Sequence, residues 1–322
     1  MPKQPTPHEA DDVTGGLTFP RPRDAQHVSA LRYFYEVARG GSIRAASEGL
    51  NIAPSAISRQ IGKLEEEVGE ALFERRARGM VLTPAGQVYQ VYVLDALMSL
   101  RRLHSEISEL RGLKRGQVRV ATIEGLVTSF LSRAVSDFRK ELPGITFEVT
   151  ITSADDVITR IQSGAADIGL AFNAPATSAI DYTRRIPDPV AAIMAPSYSL
   201  ADKSHLSLRD VLQHPIAIPV QTFGIRNLLD HACREARLAL SPALETNSIE
   251  ALRSFARHGD GIAFLHSYAV ENDLRSGALV AVDLRVPSLR IGTIDLCVLS
   301  ERRLPVAARE FLDFLERRLP QT

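Results

Sequence analysis

A single long run of helical apolar spacing, over residues 84–111, divides this chain into two parts of different character. Thr83 followed by Pro84 predicts its beginning, because threonine caps helices and proline fits a first helical turn. Spacings that alternate between four and three residues form a heptad seam, which predicts a coiled-coil partner. The seam consists of Tyr89, Val93, Ala96, Leu100, Leu103, Ile107 and Leu110. A long helix packed on its own domain is the alternative, but charged flanks favour the coiled coil. These are Arg101, Arg102, Glu106 and Glu109.

The stretch before this helix predicts three short helices. Apolar residues recur at helical spacing from about residue 27 to 38, and Gly40-Gly41 ends that segment. Ser42 is typical of an N-cap for a second helix over residues 43–49. The third predicted helix spans residues 54–68. Its apolar stripe consists of Ile57, Ile61, Leu64 and Val68.

The other face of the third helix is polar, and a basic hairpin over residues 74–82 follows it. This arrangement is typical of a winged helix-turn-helix, in which small side chains permit close approach to the major groove and arginines pair with guanine or phosphate. The candidate DNA-binding residues are Ser42, Ser55, Ser58, Arg59, Lys63, Arg75, Arg76 and Arg78. A generic three-helix cap with a solvated, charged loop is the alternative.

Net charge does not decide between these two interpretations. The chain has 38 Lys+Arg and 38 Asp+Glu, a formal net charge of zero, which argues mildly against a polyanionic partner. The acidic residues of the first part cluster at 65–74, however, beyond the half of the third helix that would face DNA. The local segregation of charge is therefore more informative than its sum.

After a short basic connector at residues 112–116, strands alternate with helices. This alternation predicts parallel βαβ units in an open α/β sheet. The predicted strands lie at 118–121, 145–151, 167–172, 191–194, 216–219, 262–265, 279–283 and 292–299. The predicted helices lie at 126–141, 154–163, 207–213, 224–237, 248–258 and 305–318.

Length and composition exclude several other classes of protein. At 322 residues with 45% hydrophobic residues, the chain suits two globular domains. Cys233 and Cys297 are too few for a disulfide scaffold, and we expect both to be reduced and buried. No stretch approaches about 18 uncharged apolar residues, so a membrane span is not expected. Residues 1–25 lack the apolar run of a signal peptide and predict a disordered tail on a cytoplasmic protein.

The residues from Leu31 to Gly86 carry a specific resemblance. The segments LRYFYEVARGGSIRAASEGLNIAPSAISRQIGKLEEEVGEALFERR and MVLTPAG contain S-A-x-S-R-Q-I, K-L-E, L-F-x-R and L-T-P-A-G at these spacings. Together they resemble the DNA-binding domain of LysR-type transcriptional regulators. Members of that family join a winged helix-turn-helix, by a long dimerisation helix, to a two-lobed effector domain like that of periplasmic binding proteins. The rest of this chain is similar in pattern, so the resemblance covers about residues 27–319.

The resemblance implies an α plus α/β architecture and a set of partners. We expect a DNA-binding domain at 26–83, a linker helix at 84–113 and an effector domain at 116–319. Lobe I would comprise 116–172 and 269–319, and lobe II would comprise 173–268. The implied partners are double-stranded DNA, a small-molecule effector between the lobes, RNA polymerase, and further copies of the chain in a homodimer or homotetramer. No cofactor is expected.

Matching the motifs residue by residue points to particular DNA contacts. The S-R of S-A-x-S-R-Q-I lies in the major groove in the family, which implies that role for Ser58 and Arg59. The arginine of L-F-x-R matches Arg75 in the wing. Many members have a glutamine that contacts a base where this chain has Ala53-Pro54. One base contact is therefore expected to be missing, with more of the readout left to Ser55.

Four polar residues at junctions between strands and helices are candidates for effector binding. Helix N-termini and strand ends converge between the lobes of such a domain, where N–H groups suit anions. The candidates are Thr122, Ser153, Thr222 and Asn247, and the resemblance favours Ser153 and Thr222. The alternative for each residue is an ordinary helix cap without a ligand.

The first of these junctions departs from the family pattern. Where a serine or threonine often opens the helix, this chain has Gly125 beside Glu124. A carboxylate at the mouth of the cleft would repel a simple anionic effector. We therefore expect either that the effector is not a plain dicarboxylate or that Glu124 faces away.

Other chemistry-bearing residues favour structural roles. Asp167 is interpreted as a turn residue, and both cysteines as core residues and not redox sensors. The eight histidines show no metal-ligand spacing, and no phosphate loop, nucleophile elbow or carboxylate pair indicates an enzyme. Two rival classes are a binding protein without a DNA role, and a dehydratase or deaminase built on the two lobes. The enzyme would leave the first 115 residues unexplained, and the periplasmic binding protein would need a signal peptide.

Overall fold

The computed structural model describes residues 24–77, 79–110 and 115–319. Contacts divide the chain into two units, Met1–Leu97 and Met98–Thr322. Apart from its last two residues, the predicted tail at 1–25 lies outside the described residues. Arg78 and the predicted end of the linker helix, residues 111–113, lie outside them as well.

The first unit, the head, contains three helices and a hairpin, and the long helix begins in it. The elements are α1 (Asp24–Gly40), α2 (Ile43–Leu50), α3 (Pro54–Val68), β1 (Phe73–Arg76), β2 (Gly79–Leu82) and α4 (Pro84–Leu110). Both predicted N-caps are present. Ser42 Oγ accepts from the Ala45 amide at 3.0 Å, and Thr83 Oγ1 accepts from the Gly86 amide at 2.9 Å.

The core of the head lies beneath α3. Ile57, Ile61 and Leu64 are buried against α1 and α4, each contributing about 1.5–3 kcal/mol by the usual value for a buried aliphatic side chain. Val68 was predicted in the same stripe, but it is 42% exposed. The prediction is wrong for this residue because the helix ends at the left-handed Gly69, one residue later, beyond the reach of the core.

The apolar seam of α4 does not form one continuous exposed stripe. Val93 is fully buried in the core of the head, and Tyr89 and Ala96 pack against the same cluster. Further along, Leu103 and Ile107 are exposed. The predicted seam is thus divided: its first half packs on its own domain, and part of its second half remains uncovered within one copy of the chain.

The second unit, the effector domain, contains two mixed sheets. Sheet 1 has the order β4-β3-β5-β13-β6, and sheet 2 has the order β10-β9-β11-β7-β12-β8. The strands of sheet 1 are β3 (Gly116–Thr122), β4 (Ile145–Ile151), β5 (Ile168–Phe172), β6 (Ile180–Pro187) and β13 (Thr293–Leu299). The strands of sheet 2 are β7 (Val190–Met194), β8 (His205–Leu206), β9 (Ile216–Pro219), β10 (Leu244–Thr246), β11 (Ile262–His266) and β12 (Val280–Leu284).

Helices cover these sheets. They are α5 (Glu124–Leu126), α6 (Ser132–Glu141), α7 (Ala154–Gln162), α8 (Leu208–Val211), α9 (Gly224–Ala236), α10 (Ile249–Arg257), α11 (Glu271–Ser276) and α12 (Val306–Arg318). A π-helical turn, Val127–Leu131, joins α5 to α6. The predicted parallel βαβ units are present, since β3 runs parallel to β4 and β5 and β9 runs parallel to β10 and β11. The sheets also contain antiparallel pairs that were not predicted, because β13 runs antiparallel to β5 and β6. In sheet 2, β7 runs antiparallel to β11 and β12.

The predicted lobe limits also need correction. We expected the chain to leave lobe I after residue 172 and to return at 269. Strand β6 pairs with β13 in sheet 1, so the first crossover lies between β6 and β7. Strand β12 pairs with β7 in sheet 2, so the second lies between β12 and β13. Lobe I therefore keeps β6, which the sequence pattern missed because its polar residues show no clear alternation.

Asp167 joins the start of β5 to two arginines. Its carboxylate accepts from Arg101 Nη1 on α4 at 2.9 Å, from Arg119 Nη2 at 2.9 Å and from the Arg119 amide at 3.0 Å. Burial would raise the pKa of Asp167, but the hydrogen bonds and charges of Arg119 and Arg101 outweigh it and hold this pKa below its usual value. The residue is structural, as expected, and it holds α4 to the effector domain.

We predict that Asp167→Asn destabilises the effector domain by about 3 kcal/mol, because it leaves two arginines without their buried partner. Since the pKa of Asp167 is lowered by folding, this stabilisation is present above about pH 4 and is lost as the pH falls through the folded-state pKa. Urea unfolding at pH 7 and in steps below pH 4 measures both effects. The exposed Asp283→Asn is the control, with a change below about 0.5 kcal/mol. Equal midpoints for the two variants at pH 7 would disprove the prediction.

Candidate nucleic-acid interface and effector cavity

The polar face of α3 is open to solvent in the head. Ser55, Arg59 and Lys63 are exposed, and Ser58 is half-buried. Within the described residues, neither Arg59 nor Lys63 forms an ion pair, so both charges remain available to an anionic partner. The structure therefore places Ser55, Arg59 and Lys63 on a face away from the buried stripe, as the sequence predicted.

The hairpin presents Arg75 and Arg76 at the surface. Arg76 contacts Glu74 at 3.1 Å, whereas Arg75 forms no ion pair with a described residue. Ser42 is half-buried and its hydroxyl caps α2, so the structure gives it a local role at the start of that helix. The contacts of Arg78 lie outside the described residues.

Glu65 holds the hairpin against α3, a role that sequence analysis missed. Its Oε1 accepts from the amides of Leu72 at 2.8 Å and Phe73 at 3.2 Å. The glycine of L-T-P-A-G has a related role, because a Cβ on Gly86 would lie 2.0 Å from the Leu72 carbonyl oxygen. Glu65 thus fixes the start of the hairpin to α3, and Gly86 allows α4 to pack closely against the same segment.

A cavity of about 290 Å³ opens in the effector domain, where residues of the two sheets and their helices converge. Of the four predicted effector residues, Ser153, Thr222 and Asn247 line it. Thr122 does not, because its side chain is fully buried and its hydroxyl points to the Ile123 carbonyl oxygen at 3.3 Å. The structure therefore does not bring Thr122 together with the other three residues, since it precedes the turn that reaches the cavity.

Helix N-termini meet at this cavity. Ser153 caps α7 by accepting from the Asp156 amide at 3.2 Å. The residue before α9 is Phe223, whose side chain cannot accept a hydrogen bond, so the start of this helix has no side-chain cap. Its first two residues, Gly224 and Ile225, line the cavity. Backbone amides at an uncapped helix start favour a bound anion.

Glu124 turns its carboxylate to the N-terminus of α10 and joins the two lobes. It accepts from the Ile249 amide at 3.0 Å, from the Glu250 amide at 3.3 Å and from Ser248 Oγ at 3.4 Å. The residue borders the cavity, yet donors of α10 compensate its charge. Glu124 therefore does not face away from the cavity, which was one of the two expectations for it. The other, that the effector is not a plain dicarboxylate, stays a prediction.

His266 and Asp188 form a buried pair that the sequence did not predict. His266 ends β11 and lines the cavity, and its Nδ1 lies 2.7 Å from Asp188 Oδ2. Asp188 lies in the first crossover between the sheets, where its amide donates to the Gly292 carbonyl at 2.9 Å. A histidine that closes an otherwise apolar strand was the available signal.

Both cysteines are buried, as predicted. Desolvation raises the pKa of Cys233 to about 11 and that of Cys297 to about 12, which keeps both thiols protonated and unreactive at neutral pH. The described residues contain no cluster of metal-ligating side chains. None of their helices is long and apolar enough to cross a membrane.

Comparisons with known proteins agree with this architecture. Residues 28–87 match the bacterial regulatory helix-turn-helix protein, lysR family, and residues 111–320 match the LysR substrate binding domain. The RuBisCO operon transcriptional regulator of Allochromatium vinosum is 27% identical over 80% of this chain and 86% of its own length. The transcriptional activator CmpR of Synechocystis is 27% identical over 88% of this chain and 92% of its own.

A solved structure shows the same fold. A full-length OxyR variant from Pseudomonas aeruginosa aligns with 90% of this chain and 94% of its own, with a TM-score of 0.65 at 17% identity. Because one family model covers most of the chain and a second covers the head, this protein belongs to the LysR family of transcriptional regulators. It is a DNA-binding transcription regulator with an effector-binding domain.

We predict that Glu124→Gln lowers the stability of the effector domain by about 1 kcal/mol, because the amide lacks the charge that the start of α10 stabilises. The loss should shrink at high salt, where such charge effects are screened. Urea unfolding at low and high ionic strength tests this, with the exposed Glu310→Gln on α12 as the control. A variant with an unchanged midpoint at low salt would show that the carboxylate contributes nothing there.

Proposed function

We propose that the head recognises a promoter through the exposed face of α3 and the arginines of the hairpin. The observation that carries this proposal is the exposed Arg59, which forms no ion pair with a described residue and lies on a helix whose other face is buried in the core. Ser55 and Ser58 permit close approach to base edges, and Arg59 reads a base. Lys63, Arg75, Arg76 and Arg78 contact phosphates. Because its proposed partner is DNA, we also propose that the protein is cytoplasmic and that its role is regulatory and not catalytic.

A homodimer formed through α4 would present two recognition helices to a roughly palindromic site. Apolar residues left exposed along α4 support this part of the proposal; they are Val88, Val91, Tyr92, Leu103 and Ile107. Half-sites would then lie about 34–36 Å apart, one turn of DNA. Assembly into a homotetramer and contact with RNA polymerase complete the proposal.

The effector domain would bind its small-molecule effector in the cavity lined by Ser153, Thr222 and Asn247. Three features support this location: the convergence of helix starts, the hydroxyl and amide side chains, and a position beside the first crossover between the sheets. Binding there would shift the two lobes relative to one another and so change promoter output.

We predict that Arg59→Ala weakens binding to the operator by about 5- to 150-fold and binding to random DNA much less, because it removes a base contact. Sequencing of genomic DNA captured by the protein first supplies the operator. Gel shifts with specific and random duplexes then compare Arg59→Ala with the exposed Arg290→Ala of the effector domain as the control. Equal losses on both duplexes would show that Arg59 does not read a base.

We predict that Thr222→Trp abolishes the response of the target promoter while leaving operator binding intact. Thr222 is exposed where it lines the cavity, so an indole fills the space without disturbing the core. A promoter reporter assayed across growth conditions, together with a gel shift, separates the two properties. The exposed Gln213→Trp lies outside the cavity lining and is the control. An unaltered promoter response in Thr222→Trp would place the effector elsewhere.

A further inference from the structure

His266 carries an unused ring nitrogen at the wall of the cavity. The side chain is only 1% exposed, yet its Nε2 has no hydrogen-bond partner among the described residues. Buried polar atoms are almost always paired, because leaving one unpaired costs about 1–3 kcal/mol. His266 is one of the residues that line the cavity, so the unpaired nitrogen of its ring indicates a group that a ligand would satisfy.

Gly125 packs beside this nitrogen, where there is no room for a side chain. A Cβ built on Gly125 would lie 3.1 Å from Nε2, and both residues line the cavity. Any side chain at position 125 would therefore crowd the nitrogen. The departure from a serine or threonine at this junction thus lies where the His266 ring meets the wall of the cavity.

Asp188 determines which hydrogen bond the ring can make with a ligand. Its carboxylate accepts from the amides of Ser267 at 3.0 Å and Tyr268 at 3.2 Å, besides the contact with His266 Nδ1 at 2.7 Å. A carboxylate in such a position accepts, so Nδ1 carries the proton. With its proton at Nδ1, the neutral form of an imidazole has its lone pair at Nε2, and this form accepts a hydrogen bond from a ligand that donates.

The other walls of the cavity limit the charge of the ligand. The uncapped start of α9 suits one anionic group, but the start of α10 is already occupied by Glu124. None of the described residues that line the cavity is a lysine or an arginine. Apolar side chains complete the lining and suit a hydrocarbon body; they are Ile123, Ile151, Phe172, Phe223, Ile225 and Ile249.

We propose that His266 binds the effector, and that its Nε2 accepts a hydrogen bond from the hydroxyl group of a small hydroxylated monocarboxylate. The carboxylate of this effector lies at the start of α9, and its apolar part lies against the surrounding isoleucines and phenylalanines. A dicarboxylate is disfavoured because Glu124 holds the place of a second anion. This inference rests on the proposed function of the cavity and adds the chemical class of the effector.

Calorimetric titration of the full-length protein with matched acids tests the class. Mandelate has a hydroxyl donor, benzoylformate has a carbonyl acceptor at the same carbon, and phenylacetate has neither. Lactate, pyruvate and propionate form the corresponding aliphatic set, and malate supplies a second carboxylate. We expect one of the hydroxy monocarboxylates to bind about tenfold more tightly than its oxo and unsubstituted analogues, as one hydrogen bond to a buried acceptor requires.

Two variants assign this preference to His266. In His266→Asn the amide nitrogen takes the place of Nδ1 beside Asp188, but nothing replaces Nε2. In Gly125→Ala the ring and its bond to Asp188 remain, but the new methyl group crowds Nε2. We expect His266→Asn to bind the hydroxy, oxo and unsubstituted acids equally weakly, and Gly125→Ala to lose most of the tenfold preference. Retention of the thermal unfolding midpoint shows that the folds are intact.

Three results would overturn the proposal: no binding of any hydroxy monocarboxylate, tighter binding of the oxo acid or malate, or an unchanged preference in His266→Asn. If the proposed function of the cavity is wrong, the titrations and the promoter assay give a different combination of results. There, a hydroxy acid would bind with the expected dependence on His266, yet operator binding and promoter output would not respond to it. The titrations and the promoter assay thus test the two claims separately.

Discussion

The effector domain depends on one buried carboxylate, that of Asp188, and on the hydrogen bonds that it accepts. It lies where the chain first crosses between the two sheets, and it collects three hydrogen bonds from the end of β11 and the turn after it. A buried carboxylate is tolerated only where donors compensate its lost hydration. These hydrogen bonds therefore hold the first crossover against lobe II. The bond to Nδ1 also orients the ring of His266, which lines the cavity.

Much of this architecture could be predicted from the sequence because the relevant signals are local. The spacing of Ile57, Ile61 and Leu64 predicted α3, and Thr83-Pro84 predicted the beginning of α4. In the same way, the hydroxyl and amide residues at strand ends located three residues that line the cavity, Ser153, Thr222 and Asn247. Periodicity and capping act within a few residues, so a single sequence reveals them.

What could not be predicted depends on contacts between distant parts of the chain. The assignment of β6 to sheet 1 rests on pairing with β13, more than a hundred residues later. The role of Glu124 depends on α10, which lies 125 residues away along the chain, and that of His266 on Asp188, 78 residues away. Local sequence patterns cannot identify partners at these distances along the chain. Glu124 was expected to repel an anionic effector because the donors at the start of α10 that offset its charge could not be predicted.

One buried strand links the cavity to the helix that leads to the head. At its far end, the ring of Phe172 stacks on His266 with centroids 4.6 Å apart. At its near end, Asp167 precedes the strand and binds Arg101 of α4. All five residues of β5 are buried, and such packed interiors shift as units rather than deform locally. Under the proposed function, direct contacts therefore connect the effector at His266 through β5 to Arg101 of α4, a path along which two arrangements of these elements would be coupled to binding. Coupling of this kind requires only that the effector bind the two arrangements with different affinity.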